Sequence, residues 1–207
     1  MFAVPLARLG HDVTVVDPSA DALATLRRRA DTAGVGDLVH GLQGDGDLLH
    51  EVLPPATGHG SAAAGFDLAL CHWVLEVVDD PAATLTEIAR ALRSGGQVSL
   101  AATNRAGAVL ARAVAGHPVE ALALHEGRDP APRGRPGRRF TPADLLALVD
   151  GAGLRGSTWR GVSVVADLLD ASSGAATEAV RALELALAET SPYRDVATGL
   201  HVLAARP

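Results

Sequence analysis

Apolar and polar positions along this chain switch repeatedly between two periods. Phe2, Val4, Leu6 and Leu9 recur at roughly helical spacing and Gly10 marks a stop, so residues 2–9 read as a helix. "HDVTVVD" is a short apolar run closed by an acid, which predicts a strand over 12–16. Residues 18–34 read as a helix with Ser19 at its N-cap and Asp21 in its first turn. A strand over 36–42 and a short helix over 47–53 follow. "PPATGHGSAAAG", residues 54–65, has no period and reads as a linker. "FDLALC" (66–71) is a buried strand. "DPAATLTEIARALRSGG" (80–96) is a helix, with Pro81 at its start and Gly95 and Gly96 after its end. "QVSLAAT" (97–103) is the next strand.

Up to about residue 103 helix and strand alternate, which predicts a parallel sheet with helices on both faces. After that the pattern changes. Residues 104–116 read as a helix, 128–139 as an arginine-rich loop, and 141–154 as a helix capped by Thr141 with Pro142 at its first position. A strand over 155–165, a long helix over 175–190 and a final strand over 199–206 complete the chain. The expected fold is α/β: one domain over 1–207, built on a doubly wound Rossmann-like sheet, mostly parallel with an antiparallel C-terminal strand. Helix, glycine, strand and strand-end acid form the second half of a nucleotide-binding βαβ unit. Its first half, a strand and a glycine-rich loop, has no counterpart ahead of Met1.

Composition narrows the class. A chain of 207 residues with 48% hydrophobic content can bury a real core. No apolar run approaches the roughly 20 residues needed to span a bilayer. A single cysteine, Cys71, allows no internal disulfide, which suits a reducing cytoplasm. The net charge of −6 does not favour nucleic acid globally, but all basic side chains are arginine and "RDPAPRGRPGRR" gathers them locally. That segment reads either as a solvated loop or as an anion-binding flap. No metal-ligand spacing, phosphate loop or nucleophile elbow is present.

In open α/β sheets ligands bind at the carboxyl ends of the strands, so the residues there carry the candidate chemistry. Asp17 can accept from a ribose diol or simply end a strand. Asp45, between Gly44 and Gly46, can accept from an adenine amino group or cap a helix. His72 can meet a ligand's polar end or serve the structure. Trp73 and Leu75 read as pocket wall or core, and Glu76 as a structural partner within its loop. Cys71 reads as a small apolar core residue rather than a nucleophile. Arg105, Arg138 and Arg139 are candidates to anchor a carboxylate or phosphate. Tyr193 lines a substrate mouth or packs.

"FDLALCHWVLEVVDDPAATLTEIARALRSGGQVSLAATN" resembles the class I S-adenosylmethionine-dependent methyltransferases: strand, His-x-x-Leu-Glu turn, Asp-Pro, helix, Arg-x-Gly-Gly, strand. Within that class, "HWVLEVVDDP", "NRAGAVLARAVAG", "GVSVVADLL" and "SPYRDVATGLHVLAARP" are similar to the bacterial tRNA 5-carboxymethoxyuridine methyltransferases. The resemblance implies S-adenosyl-L-methionine as cofactor, Asp17 at its ribose, Gly44 and Asp45 flanking its adenine, and His72 beside it. It implies methyl transfer to a carboxylate that is already ionised near neutral pH, for which no general base is required. The substrate is then tRNA, or a small molecule taken by the same fold. The family's glycine-rich loop would precede Met1, so a chain starting there is expected to bind S-adenosylhomocysteine weakly or not at all. A late-called start and a non-catalytic remnant are the two accounts of that gap.

Overall fold

The computed structural model describes residues 2–53, 65–128, 137–156, 158–169 and 177–207. The predicted linker, apart from Gly65, and residues 129–136 of the arginine loop lie outside these. The chain divides into two compact units, Met1–Gly65 and Phe66–Pro207, described separately below.

In the first unit the local signals set the element ends. α1 (Ala3–Arg8) buries Ala3 and Ala7 and stops before Gly10, whose φ of 90° is a conformation that favours glycine. β1 (Val13–Asp17) leads to α2 (Ala20–Thr32), where the Ser19 hydroxyl accepts from the Ala22 N–H at 3.2 Å. β2 (Val39–Gln43) pairs in parallel with β1, from Val13 opposite Val39 to Asp17 opposite Gln43. The strand predicted over 36–42 starts later than expected because Gly36–Leu38 forms a 3₁₀ turn. After β2 comes a second such turn, Gly46–Leu48, then the single-turn helix α3 (Leu49–Val52).

In the second unit β3 (Phe66–His72), β4 (Leu92–Thr103), β5 (Trp159–Val162) and β6 (Gly199–Ala205) form one sheet in the order β3-β4-β6-β5. β3 and β4 are parallel, whereas β6 is antiparallel to both β4 and β5. α4 (Pro81–Ala91) is capped by Asp80, which accepts from Ala82 and Ala83 at 2.8 and 3.1 Å. α7 (Pro142–Gly151) opens with a reciprocal capping box between Thr141 and Asp144. These two helices pack on one face of the sheet. Leu85, Ile88, Leu145 and Val149 are buried there with Val98, Leu100, Ala102, Leu200, Val202 and Ala204. Each buried leucine contributes about 1.5–3 kcal/mol.

Elements of the second unit also differ from expectation. The helix predicted through Ser94 ends at Ala91, because Leu92 turns extended and pairs with Phe66 across an irregularity in the β3–β4 register. Gly96 sits where an added Cβ would lie 2.7 Å from the Phe66 carbonyl oxygen, so this crossing needs glycine. After α5 (Arg105–Val114), residues to which the sequence pattern assigned no element form α6 (Pro118–His125), with Pro118 in its first turn. The strand over 155–165 contracts to β5, leaving Arg155 in an isolated bridge with Ala205. α8 (Thr177–Leu187) lies within its predicted range. Among the described residues no helix is long and apolar enough to cross a membrane.

Candidate functional site

In the first unit the candidate residues collect at the carboxyl ends of two adjacent parallel strands. Asp17 ends β1, and its Oδ1 accepts from the Ser19 N–H at 2.8 Å, which orients the carboxylate over the turn into α2. The Gly44 N–H donates to the Asp17 carbonyl at 3.4 Å, tying the two strand ends together. A Cβ on Gly44 would lie 2.7 Å from the Val52 Cγ1, so α3 closes over this position only because it is glycine. Asp45 is exposed and its side chain makes no cap hydrogen bond, so it does not act as a helix cap. Its carboxylate keeps its acceptors for another partner.

In the second unit His72 ends β3, and its Nε2 lies 2.8 Å from the Ser99 hydroxyl on β4. Burial holds its pKa below the ordinary value. Next to it Trp73 has a φ of 59°, a conformation that is strained for a bulky residue and tends to occur at functional sites. Its ring packs against Gly199, where an added Cβ would meet the ring at 2.6 Å. Cys71 faces the core and burial, with a smaller contribution from the Glu76 charge, pushes its thiol up to about 12. It is a core residue, as its sequence context predicted, and no nucleophile. Glu76 is buried, but its partner is not in its own loop. Its Oε1 accepts from the Thr103 N–H and hydroxyl at the end of β4.

The substrate-binding candidates separate. Arg105, Arg138 and Arg139 line an open cavity of about 680 Å³, together with Pro81, Phe140 and Leu148. Arg138 is already occupied there: its guanidinium donates to the carbonyls of Val78 and Asp79, the latter at 2.7 Å. It straps the loop between β3 and α4. Arg105 donates to the Arg139 carbonyl at 3.4 Å and lies 3.6 Å from Asp144. The hydrogen bond from the Thr141 backbone, then that with the Thr141 side chain and last the Arg105 charge hold the Asp144 carboxyl below its ordinary range against the opposing effect of burial. Tyr193 is not part of this cavity; it is half-exposed ahead of the 3₁₀ turn Arg194–Val196. Beside it Arg194 stacks on the Trp159 ring at 4.5 Å, a contact the sequence did not signal. Among the described residues no group of His, Cys, Asp or Glu is arranged to hold a metal ion.

The chain is similar to known proteins in sequence and in fold. Residues 1–100 match the family described as "Methyltransferase domain". The chain is 28% identical over 210 aligned residues to the tRNA 5-carboxymethoxyuridine methyltransferase of Escherichia coli (strain K12), covering 99% of this chain and 76% of that protein. It is 31% identical over 156 residues to the ubiquinone biosynthesis O-methyltransferase of Xanthomonas axonopodis pv. citri (strain 306), covering 75% of this chain but only 58% of that one. The fold is that of an S-adenosylmethionine-dependent methyltransferase from Thermotoga maritima, with a TM-score of 0.56 at 20% identity over 100% of this chain and 76% of the other. Residues 1–100, just under half of the 207 residues, thus match the methyltransferase-domain family, and the chain has the fold of S-adenosylmethionine-dependent methyltransferases, whose cofactor is S-adenosyl-L-methionine.

Proposed function

We propose that this chain methylates a carboxylate on a modified uridine of tRNA, with S-adenosyl-L-methionine as methyl donor. The observation that carries the reading is the extent of the likeness. It runs over 99% of the chain, through residues beyond the methyltransferase-domain match at 1–100. In this reading Asp17 takes the cofactor ribose, and the uncapped Asp45 takes the adenine amino group beside the close approach that Gly44 permits. His72 lies next to the cofactor. The cofactor supplies an electrophilic methyl on a cationic sulfonium. The chain's own work is to hold an ionised carboxylate in line with it and to exclude water. Arg105 and Arg139 in the second-unit cavity suit an anionic group of the substrate, while Arg138 shapes the loop beside them.

The test is methyl transfer from the labelled cofactor to tRNA that carries carboxymethoxyuridine, read by nucleoside mass spectrometry. Appearance of the methyl ester, with a rate that falls steeply as salt rises, supports the reading. A small-molecule substrate is the second reading, favoured by the net charge of −6 and by the likeness to the ubiquinone biosynthesis enzyme. Under that reading tRNA is not methylated and a small carboxylic acid or phenol is, with little salt dependence. Calorimetry with S-adenosylhomocysteine on residues 1–207 addresses the non-catalytic reading separately, through cofactor affinity alone.

A further inference from the structure

His72, Ser99 and His201 form one hydrogen-bonded chain across three strands. The Ser99 Oγ lies 2.8 Å from the Nε2 of His72 and 2.8 Å from the Nε2 of His201. Strand register explains how residues so far apart meet. On β3, β4 and β6 the row His72–Ala101–His201 runs straight across the sheet, and Ser99 lies two positions back on the same face. The small Ala101 side chain between the histidines lets both rings lean back to the serine. The rings meet edge to face, with centroids 6.2 Å apart and planes at 77°.

Proton counting then constrains the group. A serine hydroxyl carries a single proton and can donate only once, although it can also accept. Two neutral imidazoles that both present Nε2 to that oxygen make use of the hydroxyl proton in one arrangement. One Nε2 carries its proton and donates to Ser99, and Ser99 donates to the other, which is bare. In that arrangement the rings hold opposite tautomers, and changing one changes the other. Ser99 is buried, so leaving its proton without either acceptor is costly. Burial keeps both rings neutral, and His201 is further discouraged from protonation by His72 and by Arg160 on β5.

We propose that Ser99 and His201 are positioning residues for His72: together they fix its ring orientation and decide whether its Nδ1 is a donor or an acceptor. Neither residue needs to touch a ligand to do this. The consequence for the cofactor rests on the reading of His72 given above. A histidine beside a cationic sulfonium serves best as a neutral ring of defined tautomer, because a protonated one would repel the charge.

The experiment is long-range ¹H–¹⁵N correlation of the histidine rings in the full chain, with and without S-adenosylhomocysteine. The expected wild-type spectrum shows one Nε2–H and one Nδ1–H ring at positions 72 and 201. Ser99→Ala is expected to lose that complementarity and to let each ring drift to a mixed tautomer. Ser99→Thr, which keeps the hydroxyl, is expected to restore it. Two rings of the same tautomer in the wild type overturn the proposal, as does a Ser99→Ala spectrum identical to wild type. A complementary pair whose His72 signals do not move on adding S-adenosylhomocysteine leaves the positioning role established and removes the cofactor reading of His72. The two failures are therefore distinct.

Discussion

The Glu76 carboxylate grips the end of a neighbouring strand: its Oε1 accepts from the Thr103 N–H at 2.6 Å and from the Thr103 hydroxyl at 2.9 Å. Its other oxygen, Oε2, is buried and has no hydrogen-bond partner among the described residues. Glu76 follows the strained Trp73, and its own carbonyl accepts from the Arg138 N–H at 3.1 Å. This single side chain thus fastens the turn after β3 to the strand end that leads into α5. Glu76→Ala strands the Thr103 N–H and removes that fastening. It is expected to cost about 2 kcal/mol, measured as a lower urea midpoint. Thr103→Val removes only the hydroxyl contact and is expected to cost about 1 kcal/mol. The double mutant should lose less than the sum of the two, because both substitutions break one shared interaction.

The two histidines predict the acid limb of the stability curve. His72 and His201 have pKa values lowered in the folded chain, chiefly by burial, from an ordinary value of 6.5. The unfolded chain therefore binds protons that the folded one refuses. Their neutral burial is fully compatible with folding above pH 6.5, and stability falls as the pH drops below that value toward their folded pKa values. Thermal unfolding followed from pH 7.5 to about 5 is expected to show a declining midpoint. His201→Gln should flatten the decline, since it removes one of the protons taken up on unfolding. An unchanged slope in that variant would show that other groups carry the acid response.

Much of this architecture is legible in the sequence because the signals are local. Ser19, Asp80 with Pro81, and Thr141 with Pro142 start their helices as read, since a cap hydrogen bond and a fixed φ need only neighbouring residues. The end of α4 was not legible, because Leu92 leaves the helix for a pairing with Phe66 that no nearby residue announces. α6 escaped notice because its apolar residues follow no clear face, and Leu122 remains exposed. The placement of Asp17 and His72 at strand ends was readable from period and position. Their second partners were not. Ser99 and His201 are 102 residues apart, and they share a face only once the β4–β6 register is fixed. Arg138 reads as a ligand-binding arginine in sequence, yet its fork is spent on the carbonyls of Val78 and Asp79.

Gly44 gives a steric prediction. The Val52 Cγ1 and Cγ2 would lie 2.7 and 3.0 Å from an added Cβ, both on a β-branched side chain with little freedom to turn away. Gly44→Ala is therefore expected to destabilise the first unit by about 1–3 kcal/mol, measured by urea unfolding. Val52→Ala in the same chain removes both clashing methyls and should recover part of the loss. If Gly44→Ala proves as stable as wild type, α3 has shifted, and the close approach at this strand end is not a constraint.

Arg138 and Arg105 line one cavity but should fail differently when changed. Arg138 donates to two carbonyls of the loop before α4, so Arg138→Ala is expected to lower stability by about 1 kcal/mol. Arg105 lies 3.6 Å from Asp144 with both side chains half-exposed, a pair worth little to folding. Arg105→Ala should leave the urea midpoint nearly unchanged. In the proposed reaction it should raise KM for the anionic substrate about tenfold with little change in kcat, the signature of lost ground-state binding. Arg105→Lys keeps the charge but loses the planar fork, and is expected to fall between the two. Equal stability losses in Arg105→Ala and Arg138→Ala, with no effect of the former on KM, would reassign Arg105 to the scaffold and leave Arg139 as the cavity's candidate for substrate.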